Sequence, residues 1–90
     1  MSTTARTILI TNRRGLHARA SAKFVNMASA MSAKVEVEKD GNRVCGTSIM
    51  GLMMLGAAMG DTIVIHCDGD VCGVAIEQLA ELVESRFGEE

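Results

Sequence analysis

The sequence predicts an α+β fold of two layers, an antiparallel sheet covered on one face by three helices, in the order β-α-β-β-α-β-α. Three observations carry this. Arg6–Thr11, Lys34–Lys39 and Asp61–Asp68 alternate apolar and polar residues, as half-buried strands do. Ala18–Ala30 and Val71–Phe87 repeat apolar residues at spacings of three and four, as amphipathic helices do. Asp40-Gly41 joins two strand-like runs, and both residue types tolerate the positive φ of a tight hairpin turn.

In the first strand Ile8 and Ile10 share the inner face, and Met1–Ala5 before it are expected to fray. Asn12, Arg13, Arg14 and Gly15 make a loop. The two arginines there are either a solvated loop or a local positive potential aimed at an acidic partner. The first helix presents Ala20, Phe24, Met27, Ala28 and Met31 inward, with Lys23 and Asn26 outward. Ser21 reads as a small residue of its first turn. Val35 and Val37 line the core side of the second strand. Asn42–Gly46 returns with Val44 as its main core residue and Cys45 on the other face.

Ser48 precedes the apolar run Ile49-Met50-Gly51-Leu52-Met53-Met54-Leu55, the position of a helix N-cap. A two-turn helix cannot hide all of these side chains on one face. Either the core swallows the run, or Ile49, Met50 and Met53 form an exposed docking patch in which methionine adapts to the partner. The last strand turns Ile63, Ile65 and Cys67 inward, and His66 outward as a structural or surface residue. The last helix buries Val71, Val74, Ala75, Leu79, Leu82 and Val83, ends at Gly88, and leaves Glu89-Glu90 as a tail.

Ninety residues, 48% of them hydrophobic, make one small domain over residues 1–90. With no Trp and only two Phe, methionine and alanine must fill much of the interior. A net charge of −2 and the scarcity of aromatics argue against nucleic acid. No apolar run approaches a membrane span, and no signal peptide opens the chain. Cys45, Cys67 and Cys72 are odd in number without a C-x-x-C, which favours reduced thiols in a cytoplasm. A metal site of His66, Cys67 and Cys72 is not expected, because strand alternation sends His66 and Cys67 to opposite faces.

The chemistry-bearing stretch is Gly15-Leu16-His17-Ala18-Arg19-Ala20-Ser21-Ala22. It sets His17 and Arg19 at a helix start, where unpaired N–H groups and the helix dipole favour an anion. His17 supplies a nitrogen nucleophile, and Arg19 a planar cationic fork for phosphate oxygens. A nucleophile and an anion site in one turn can accept a phosphoryl group. A surface His and Arg at a helix end is the plainer alternative.

This stretch resembles the active-site signature of the HPr family, the histidine-containing phosphocarriers of the bacterial phosphotransferase system. Gly46-Thr47-Ser48-Ile49-Met50-Gly51-Leu52-Met53-Met54-Leu55-Gly56 resembles the family's regulatory serine segment. The order and separation of the motifs also fit, so the resemblance covers essentially the whole chain. One departure is Ala20, where the family usually has proline. A slightly looser helix start is expected there, with no lost function.

The resemblance implies an HPr-like open-faced β-sandwich with four strands, and a phosphocarrier that is not a self-sufficient enzyme. His17 would accept a phosphoryl group at Nδ1 from enzyme I and pass it to IIA-type domains, with Arg19 stabilising the phosphate. Ser48 would be the target of an HPr kinase/phosphorylase, and Ala18, Ala22, Ile49, Met50 and Met53 would dock partners. No cofactor, metal, nucleic acid or membrane is implied, and a cytoplasmic monomer serving sugar transport is expected. The alternative is a nitrogen-type or purely regulatory HPr-like module whose output is partner control.

Overall fold

The computed structural model describes residues 3–89. Its elements are β1 (Thr3–Leu9), α1 (Ala18–Ser29), β2 (Lys34–Lys39), β3 (Asn42–Cys45), α2 (Ile49–Met54), β4 (Thr62–Asp68) and α3 (Cys72–Glu84), followed by a single 3₁₀ turn at Arg86–Gly88. The four strands form one antiparallel sheet in the order β1-β4-β2-β3. The predicted βαββαβα order and one-sided helical layer are therefore those of the molecule.

Alternation decides which face is covered. Ile8, Val35, Val37, Ile63, Ile65 and Cys67 are buried beneath the helices. The other face carries Thr7, Val64, His66, Glu36 and Glu38, and Leu9 is 50% exposed there. Into the inner face α1 sends Ala20, Phe24 and Ala28, while Met27 and Met31 pack at its margin. The short helix α2 packs against α1 and β3 through the fully buried Leu52. Val44 is only partly buried, because β3 is the sheet's edge. Cys45 is exposed with a free thiol. On the open face, His66 Nε2 lies 2.7 Å from Glu38 Oε1.

Several expectations need correction. Thr3–Ala5 do not fray, because β4 is long enough to pair Thr3 with Asp68 and Ala5 with His66. Met1 and Ser2 lie outside the described residues, as does Glu90 of the expected tail. Ile10 leaves the strand yet stays buried, its N–H donating to Asp61 O at 2.8 Å. Cys67 and Cys72 are joined as a disulfide rather than free, their Cα atoms 5.5 Å apart where the chain turns back from β4 into α3. Turning Cys72 inward rotates α3, so Cys72, Ala75, Ile76, Leu79, Ala80 and Val83 form its buried stripe. Val71 and Val74, expected in that stripe, are 44% and 64% exposed.

The end of α3 is the last difference. The helix stops at Glu84 and not at Gly88. Arg86 and Phe87 both take left-handed φ values, 60° and 57°, which are uncommon for residues with side chains. The bend is stabilised by burial of Phe87, which has no exposed surface. Lys23, expected to face solvent, bends its Nζ to donate to Phe87 O at 2.6 Å.

Phe24 is the largest wholly buried side chain of α1. Phe24→Ala should cost about 3–5 kcal/mol of unfolding free energy in urea titration, the range for emptying a core aromatic site. A cost under about 1 kcal/mol would show that α1 is not anchored through it.

Candidate functional site at the start of the first helix

The segment between β1 and α1 is pinned before it reaches His17. Asn12 is almost fully buried, and its Nδ2 donates to Gly15 O at 2.8 Å, closing the turn. Gly15 has φ +64°, and a Cβ there would stand 2.2 Å from Ala57 O. Only glycine allows this approach. It brings Leu16 N–H to Ala57 O at 2.9 Å and buries the Leu16 side chain. Ser21, also buried, donates from Oγ to Leu16 O at 3.2 Å and so ties the first helical turn back to the loop. That role goes beyond the small helix residue expected.

His17 is the N-cap of α1, with extended backbone at φ −80° and ψ −176°. Its Nδ1 accepts the backbone N–H of Arg19 at 3.3 Å. The ring stands in for the Ser, Thr or Asp oxygen usual at this position. Its Nε2 lies 2.6 Å from Glu89 Oε2, with both side chains about one-fifth exposed. Asn12 Nδ2 also donates to Glu89 Oε1 at 3.2 Å.

The surroundings are strongly cationic despite the net negative chain. Arg13, Arg14, Arg19 and Arg86 border one open cleft of about 650 Å³, with Asn12, Glu89 and Met59 also on its wall. Arg13 and Arg14 are both exposed, and the fold gathers them with Arg19 and Arg86. The Glu89 carboxyl responds to its own contacts. Its partial burial would raise its pKa, but the hydrogen bonds from His17 and Asn12, with the nearby Lys23, hold it below the usual carboxylate range.

Ser48 is the N-cap of α2, its Oγ accepting the Gly51 N–H at 3.0 Å. Ile49, Met50 and Met53 are 41%, 70% and 42% exposed, so the core does not swallow the run. Met54 and Met59 are exposed as well. Ala18 is exposed and Ala22 half-buried on α1, the helix against which α2 packs. Among the described residues no helix is long and apolar enough to cross a membrane.

Glu89, Asn12 and Arg86 belong to this neighbourhood although the sequence did not single them out. Asn12 reads locally as a loop residue. Glu89 lies 72 positions from His17, and no periodic signal links them.

A family model described as "PTS HPr component phosphorylation site" matches residues 4–85. The phosphocarrier protein HPr of Neisseria meningitidis is 49% identical over 82 residues, covering 91% of this chain and 92% of that one. The phosphocarrier protein NPr of Shewanella violacea is 33% identical over 89 residues, covering 99% and 98%. The crystal structure of HPr-C-His from Thermoanaerobacter tengcongensis superposes with a TM-score of 0.92 at 46% identity, over 97% of this chain and 98% of that one.

Glu89 generates a pH prediction. Because its folded pKa is lowered, its contribution to stability is present above the ordinary value of 4.5 and is lost as pH falls through the lowered value. Carbon-detected NMR of the Glu89 carboxyl should show a midpoint below 4.5 in the folded protein. A midpoint at or above it would mean that the contacts with His17 and Asn12 do not hold in solution.

Proposed function

The chain belongs to the HPr family, the phosphoryl carriers of the phosphotransferase system, and on that premise we propose that His17 is its phosphoryl acceptor. Residues 1–90 then act as one phosphocarrier domain. The donor is the phosphorylated histidine of enzyme I, and the recipients are IIA-type domains. One observation carries the assignment of the reacting atom: Nδ1 accepts the Arg19 N–H. An amide N–H only donates, so Nδ1 bears a lone pair and sits at the positive end of α1.

The chemistry follows from this placement. The Nδ1 lone pair attacks phosphorus, a new N–P bond forms, and the P–N bond to the donor histidine breaks with its electrons leaving on that ring. The phosphoryl oxygens then replace His17 Nδ1 as acceptors at the helix start. Arg19, exposed on the cleft, brings a cationic fork to the same oxygens. Transfer of this kind needs alignment and charge stabilisation more than covalent assistance. The open setting suits a carrier, because a deep cage would hold the group too well to release it.

Ser48 is the proposed regulatory site. A phosphate on its Oγ would add roughly −1.5 to −2 charges beside Ile49 and Met50. At the helix N-terminus the charge is locally tolerated. A partner covering the apolar surface would instead have to desolvate it or meet it with negative charge.

His17→Ala should abolish acid-labile phosphate uptake from phosphoenolpyruvate and enzyme I while the fold survives, since losing an N-cap costs about 0.5–2 kcal/mol. Arg19→Ala should slow transfer without abolishing it. Uptake by folded His17→Ala protein would refute the acceptor assignment, and an unchanged rate for Arg19→Ala would remove that residue from the site.

Ser48→Asp should slow loading chiefly by raising the enzyme I concentration needed for half-maximal rate, with circular dichroism unchanged. A slowdown that merely tracks unfolding would refute the docking explanation.

A further inference from the structure

His17 is held at both ring nitrogens, and the two contacts specify one tautomer. Nδ1 receives an amide N–H and so carries no proton. In the neutral ring the proton therefore resides on Nε2, which faces a carboxylate oxygen at 2.6 Å. Neither contact depends on the other, since one comes from the helix backbone and the other from the far end of the chain.

The segment that delivers Glu89 is built rather than trailing. Phe87 is fully buried, Lys23 Nζ donates to its carbonyl, and Arg86 O accepts the Glu89 N–H at 2.9 Å. Two successive non-glycine residues there hold left-handed backbone, a conformation that persists only when its surroundings enforce it. Asn12 takes the second carboxylate oxygen, which fixes the carboxylate's rotation as well as its position.

Building on the reading of His17 as the acceptor, we propose that Glu89 is a positioning residue for phosphoryl transfer. Its carboxylate retains the Nε2 proton, which leaves Nδ1 as the nucleophile. When Nδ1 forms its bond to phosphorus, the Nε2 proton stays in place and the ring becomes cationic. The hydrogen bond to Glu89, charge-assisted only from the carboxylate side in the empty carrier, then gains the attraction between opposite charges as well. Glu89 therefore favours the loaded carrier over the empty one. It does so from the side of the ring opposite the phosphoryl group, without contact with it. This is the arrangement by which carboxylates orient metal-bound histidines, with phosphorus in place of the metal.

The test compares the full chain with Glu89→Ala and Glu89→Gln. Phosphoryl uptake is followed across enzyme I concentrations, and the His17 ring is observed by ¹⁵N NMR with no enzyme I present. Glu89→Ala should lower the maximal loading rate and the loading equilibrium by about tenfold, the scale of one hydrogen bond to a charged group. The enzyme I concentration for half-maximal rate should stay unchanged. The Nε2–H signal should exchange faster with water and the protonated-Nδ1 tautomer should gain population. Glu89→Gln keeps an accepting oxygen without the charge, so it should retain the tautomer and lose less of the rate.

If Glu89→Ala matches the parent in maximal rate and in Nε2–H signal, the proposal is overturned. It is overturned equally if Glu89→Gln is as impaired as Glu89→Ala with an unaltered ring, because that pattern belongs to a general packing role. Should Glu89→Ala unfold, Glu89→Gln decides alone: a slowed maximal rate with the Nε2–H tautomer kept supports the proposal, and a parent-like rate overturns it. Failure of the parent itself to take phosphate on His17 would be a failure of the acceptor assignment. The NMR comparison reads the Nε2–H contact independently of it.

Discussion

The close approach of Gly15 to Ala57 governs where everything in the candidate site lies. With a Cβ at position 15 facing a carbonyl oxygen at 2.2 Å, the loop would have to lift away from the segment that precedes β4. The bond from Leu16 N–H to Ala57 O would lengthen, and the buried Leu16 would withdraw from the core. His17 follows directly, and its place as N-cap depends on the chain leaving the loop in this direction. Ser21 reinforces the geometry from the helix side. Precision at an exposed histidine is thus obtained from buried neighbours on both sides of it.

The same logic explains how a chain with net negative charge presents a cationic cleft. Arg13 and Arg14 come from the β1–α1 loop, Arg19 from α1, and Arg86 from the turn after α3. Elsewhere the basic residues are paired on the surface, as with Arg43 and Glu36, or Arg6 with Glu77 and Glu84. Such exposed pairs contribute little to stability. Their effect is to leave the unbalanced positive charge beside His17.

Most of the architecture was legible because alternation and helical periodicity are local properties. Val35 and Val37, or Ala20 with Phe24 and Ala28, declare their faces within a few residues of one another. The places of His17 at a helix start and of Ser48 at an N-cap were legible for the same reason, each lying directly before a helical run. What was not legible depends on contacts between distant segments. The strand pairing of Thr3–Ala5 requires the far end of β4. The rotation of α3 that exposes Val71 and Val74 places Cys72 inward beside Cys67, a neighbour from β4 that helical periodicity alone does not announce. Glu89 reads as a tail because the left-handed turn at Arg86 and Phe87 has no glycine to announce it before Gly88.

The strand order has a consequence for how the chain acquires its structure. β2 and β3 are joined by a two-residue turn and can pair as soon as both exist. β1 is made first but pairs only with β4, so that Ile8 waits for Ile63. During synthesis its backbone donors and acceptors stay without their sheet partner until most of the chain has appeared. Non-local pairing of this kind slows folding, because a long loop must close before any contact offsets its entropy. The His17 loop lies between β1 and α1 and leans on the segment before β4, so it cannot take its final shape earlier. The loop that carries His17 therefore reaches its final shape only after β4 has joined the sheet.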